Sequence, residues 1–176
     1  MENVKSGFFA GTGAAINISV GFIPSLVILY NATDGSPINQ AQPNRKTMAF
    51  TSGGTNEIKA GHQLKGATSG ATADVVQVIT DTGTWAGGDA AGWFILDAES
   101  ETGTFASESV YYDNSDGTND GTGAATAVLG IDIDTEVATD AGVTAYKGST
   151  SAARGFTCAT AVSTDAKLFA YSAFSG

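Results

Sequence analysis

The chain has 176 residues, 23 of them glycine, and carries a net charge of −10 with only 8 Lys plus Arg and one cysteine. That length suffices for one ordinary domain, or a domain with a small inserted module, without disulfides or metals to hold it. Cys158 standing alone excludes an intrachain disulfide and a Cys-based zinc site, and the absence of any basic stripe speaks against a nucleic-acid partner. No apolar run approaches the roughly 18–20 residues of a membrane span, so no membrane partner is expected. The opening MENVKSG lacks the basic and apolar regions of a signal peptide, which predicts synthesis and use without export by that route. So much glycine and so few long charged side chains make poor helix material and good material for short strands and tight turns.

Gly7 to Asn31 is the most apolar stretch. It reads as two strands joined by a Gly-Phe-Ile-Pro corner: Ile16, Ile18 and Val20 alternate with Asn17, Ser19 and Gly21, and Leu26 to Tyr30 is a continuous apolar run. The alternation predicts a half-buried strand and the run a strand buried on both faces. Pro24, which fixes φ and lacks a donor, suits the start of the second strand. Asp34-Gly35 marks a turn, residues 38–50 are irregular, with Pro43 demoting any strand there and Met48 to Phe50 fitting a short edge segment, and Thr51 to Thr55 is a flexible break.

Residues 57–112 read as a compact β-module. Ala73 to Thr80 and Gly92 to Asp97 are its strong strands, Ser109 to Tyr112 closes it, and turn formers separate them. Residues 113–123 (DNSDGTNDGTG) hold no hydrophobic side chain and read as a linker. Val128 to Ile133, Val143 to Tyr146, Gly155 to Cys158 and Lys167 to Phe174 are the remaining strands.

Few residues invite chemistry. His62 is the single histidine and has no acid near it in sequence, so it reads as a turn residue. Asp116, Thr118 and Asp120 place oxygen ligands at positions one, three and five before Gly121, as in the first half of a calcium loop, but Ala127 stands where the bidentate glutamate belongs. A solvated acidic loop is the plainer expectation, and no metal or cofactor is assigned. Gly11-Thr12-Gly13 sits between strands and opens no helix, which excludes a nucleotide loop. Glu99/Glu101 and Asp132/Asp134 are spaced to share a strand face, and paired carboxylates can serve glycoside hydrolysis, yet exposed acidic faces are commoner in so negative a chain. Trp85, Trp93 and Tyr112 are candidates for stacking on a sugar ring, with core filling as the simpler role. Cys158 reads as a small buried hydrophobe.

Two patterns then carry a resemblance. Gly7-Phe8-Phe9, Gly11-Thr12-Gly13, Asn17 to Pro24 and Val27 to Asn31, together with Gly155-Phe156-Thr157 and Phe169 to Phe174, resemble small virion structural proteins of tailed bacteriophages. Leu64 to Ala73 and Gly83 to Gly92 are similar to a module found in phage structural proteins. Residues 32–56 and 113–142 match neither pattern. The resemblance implies an all-β protein: an antiparallel β-sandwich built from 1–56 and 113–176, with a small barrel-like module at 57–112 inserted. It implies a non-enzymatic capsid decoration (cement) protein, made in the host cytoplasm and bound to the major capsid protein on the head surface. A homo-oligomer is implied, a trimer favoured. A tail, head-fibre or baseplate component with a carbohydrate-binding role is the alternative.

Overall fold

The computed structural model describes residues 3–35, 39–54, 57–113, 119–128 and 142–176. The protein is all-β. Its strands are β1 (Val4–Ala10), β2 (Ile16–Ser19), β3 (Leu26–Asn31), β4 (Asn39–Ala41), β5 (Arg45–Thr51), β6 (Gln63–Gly66) and β7 (Thr72–Thr82). There follow β8 (Ala91–Asp97), β9 (Glu108–Asp113), β10 (Asn119–Val128), β11 (Val143–Tyr146), β12 (Gly155–Cys158) and β13 (Leu168–Phe174), with one 3-10 turn at Thr160–Val162.

The chain divides into two compact units. The first combines Met1–Arg45 with Leu129–Gly176, and the second is Lys46–Val128. The second is longer at both ends than the 57–112 block expected from composition, and the difference has two causes. β5 alternates inward Lys46, Met48 and Phe50 with outward neighbours, but a lysine in the inward set hides the period. β10 occupies part of what reads as a linker: its Gly, Thr and Ala residues pair along their backbone with β9 on one side and β5 on the other. Pairing across a sheet needs no hydrophobic side chain, so composition does not announce it.

The first unit is a sandwich. One sheet has the order β1-β13-β3-β4 and the other β11-β12-β2. Gly7 to Asn31 thus supplies three strands rather than two, and each finds its partner at the far end of the chain: β1 and β3 flank β13, while β2 pairs with β12. Phe9, Val27, Leu29 and Phe169 from the first sheet meet Ile18, Phe156, Cys158 and Val143 from the second in one core. Phe9 stacks on Phe169 with ring centroids 5.2 Å apart, and Phe156 meets Tyr171 edge-on at 5.4 Å across the sheets. Gly7 lies opposite Tyr171 in register, and a Cβ there would stand 2.8 Å from the phenol oxygen, so the ring covers the glycine. Pro24 is buried two residues before β3, and Pro43 sits in the turn between β4 and β5, where Arg45 N–H donates to Gln42 C=O at 3.0 Å.

One expectation fails here. β3 is not buried on both faces: Val27 and Leu29 are in the core, but Tyr30 is exposed and Leu26 and Ile28 are half-buried. The apolar run supplies a second face that the described residues cover only in part.

The second unit is a closed barrel in the order β10-β5-β8-β7-β6-β9. Closure removes the free edges that an open sheet would expose. Its core holds Met48, Phe50, Leu64, Val75, Phe94, Leu96 and Val110. Phe50 is the hub, stacked on Phe94 at 4.3 Å and on Trp85 at 5.3 Å.

Candidate interaction surfaces

Among the described residues, those that invited a catalytic or binding role are dispersed. The Nδ1 atom of His62 accepts the Lys59 N–H at 3.1 Å and its ring lies 4.0 Å from that of Tyr112, so it organises the turn into β6. Glu99 and Glu101 do not share a strand face. They lie in the turn after β8, and Glu101 pairs with Lys46, whose side chain is 8 % exposed. That buried ion pair escaped the sequence, where 55 residues separate the partners. The amides of Gly11-Thr12-Gly13 are taken by Lys167 and Ser163, which leaves none for a phosphate. Cys158 is buried in the sandwich core, where burial pushes its thiol up to about 12. Asp116, Asp132 and Asp134 lie outside the described residues, as do the side chains of Asp113 and Asp120. Among the described residues, no group of three His, Cys, Asp or Glu converges as a metal site would require.

The three aromatics proposed for a sugar do not form a platform. Trp85 lies in the barrel core against Phe50, and its indole N–H finds no partner among the described residues. Tyr112 packs half-buried on the same core. Only Trp93 is open to solvent, because β8 alternates and puts Phe94 inside and Trp93 outside. A sugar face would need the three to share one side of the barrel; β-periodicity and core filling separate them.

Glu108 is a site that composition did not flag. Its Oε2 accepts the N–H groups of Thr68 and Ser69 at 2.6 and 2.8 Å, and its Oε1 faces Ala106 N–H at 3.3 Å. Burial alone would raise its pKa. Hydrogen bonds from the Ser69 hydroxyl and from the Ser69, Thr68 and Ala106 amides outweigh that and hold it at about 2. A Cβ on Gly66 would stand 2.4 Å from Oε1, and Gly70 takes φ +68. The Gly-Ala-Thr-Ser-Gly stretch is therefore a β6–β7 turn tied down by a carboxylate 38 or more residues away, a structural job.

Among the described residues, the exposed large hydrophobics gather on two faces. On the barrel, Ile79 and Trp93 are direct cross-strand partners, both facing out, with Val76 beside a bulge in β7. On the sandwich, the outer face of the β1-β13-β3 sheet has Val4, Phe174 and Leu26 in one row and Phe8, Ala170 and Tyr30 in another. Between these rows the hydroxyls of Ser6 and Ser172 are 3.1 Å apart, next to Ile28. Phe8 is 70 % exposed and Val4 54 %, and neither an acid nor a base stands in these rows. No protein-family model, curated protein or solved structure matches this chain.

Proposed function

We propose that this chain is a non-enzymatic structural protein of a tailed-phage virion, of the capsid-decoration kind, which binds the major capsid protein on the outside of the head and stabilises the shell. The observation that supports a contact-making role is the exposed apolar surface on both units; of the candidate residues that are described, Trp85 is in the core, Glu101 pairs with Lys46 and His62 packs on Tyr112. Exposed apolar clusters on a soluble chain mark interaction sites, and a ligand that binds only the assembled shell stabilises it by mass action. The phage assignment itself rests on the sequence resemblance of the two chain ends and the Leu64 to Gly92 segment.

Counting copies per particle against the major capsid protein, with labelled antibody to locate them, tests this. Many copies spread over the head are expected; a few copies confined to the tail tip would overturn it. Exposed Trp93 beside Ile79 favours one second reading, a carbohydrate-binding tail or fibre component. In that case Trp93→Ala abolishes binding to host glycan while the fold and particle assembly persist, whereas Trp85→Ala damages the fold.

A further inference from the structure

We propose that the outer edge of β1, with the uncharged face beside it, binds a second copy of this chain about a two-fold axis at Gly7, joining two four-stranded sheets into one. The hydrogen-bond pattern aims the edge outward. Ser175 N–H donates to Asn3 C=O and Gly11 N–H to Lys167 C=O, in a ladder whose register between β1 and β13 is unbroken. Antiparallel pairs alternate between bonded and non-bonded, so the odd residues of β1 bond β13 while Val4, Ser6, Phe8 and Ala10 direct N–H and C=O away from it. Among the described residues β1 pairs only with β13. Natural edge strands are blunted by shortness, proline, bulges or charge. β1 is seven residues long, without proline or bulge, and Lys5 is its one charge.

Charge selects the occupant. A basic partner would be drawn to the carboxylate-rich surface of a chain with net charge −10. A second copy, equally acidic, approaches at least cost where no carboxylate stands, and among the described residues the Val4–Tyr30 face is such a place. An antiparallel edge is also complementary to itself under a two-fold, as an isologous interface requires. Full overlap of the seven residues puts Gly7 of one copy opposite Gly7 of the other. It also puts each Lys5 opposite Phe9 rather than opposite its own symmetry mate. The dimer would cover Val4 and Phe8, and the apolar outer positions of β3 would then continue a wider apolar face.

The test is the mass of the purified full chain by light scattering or sedimentation at up to about 100 μM. Twice the 17.7 kDa of one chain is expected. Ser6→Pro removes an outward donor that the β13 ladder does not use, and Phe8→Glu sets two carboxylates into the contact. Each should weaken the dimer at least about tenfold while leaving the far-ultraviolet circular dichroism unchanged. If Ser6→Pro fails to fold, Phe8→Glu decides alone. A monomer at the highest concentration, a trimer, or a dimer that a folded Phe8→Glu leaves intact would overturn the proposal. It does not rest on the virion reading: purified chain is used alone, and the particle count stands or falls separately.

Discussion

Glu108 and Lys46 are held in place by different means, and they predict different behaviour. The Glu108 carboxylate has a folded pKa of about 2 against an ordinary 4.5. A depressed acid contributes stability that is fully present above the unfolded value and is lost as pH falls towards the folded one. The stability gap between the wild type and Glu108→Gln is therefore expected to be constant above about pH 6 and to close between about pH 4.5 and pH 2, as read from urea midpoints. A gap that stays constant down to pH 2 would mean that the charge is not what ties the turn. Lys46 and Glu101 are both mostly buried, so removing one leaves the other poorly solvated. Lys46→Met is expected to cost about 3 kcal/mol, and Lys46→Met with Glu101→Met to recover most of it. Chemical denaturation of the three proteins checks this.

At the scale of elements, strands whose side chains declare a face were legible and strands defined by their partners were not. β8 and β13 show in the sequence because inward residues such as Phe94 and Phe169 alternate with different chemistry, whereas in β7 a bulge after Val75 breaks the period and turns Val76 and Ile79 outward and Val78 towards the core. β10 does not show, since Asn119 to Gly123 earns its place through backbone pairing with β9, and β5 is obscured by an inward lysine whose partner lies far along the chain. The candidate surface residues were half legible. Trp93 and Trp85 look equivalent in sequence, and only the register and the barrel closure separate an outward ring from a core one. Close strand approach makes its own prediction. A Cβ on Gly155 would lie 1.8 Å from the Ile18 carbonyl oxygen, which is backbone and cannot swing away, whereas one on Gly142 meets nothing within 4 Å. Gly155→Ala should cost about 3 kcal/mol or more and Gly142→Ala less than about 0.5 kcal/mol, in thermal or urea melts.

For the whole molecule, the apolar run at Leu26 to Tyr30 carries the main lesson. Continuous hydrophobicity predicts cover on both sides, and the described residues provide it fully on one and in part on the other. Sequence thus records a demand for burial without saying whether the same chain meets it. The two units have separate cores that share no residue, so each core can be weakened by its own substitution, Phe156→Ala in the sandwich or Phe94→Ala in the barrel, at about 3–5 kcal/mol apiece.

Cys158 then acquires a use. It is the chain's only cysteine, it belongs to the sandwich core, and its thiol is held at about 12. Near pH 8 hardly any nucleophilic thiolate exists until that core opens. An alkylating reagent is thus a built-in clock for the opening of one half of the chain. Phe156→Ala should speed its modification by about a hundredfold or more, following the lost stability.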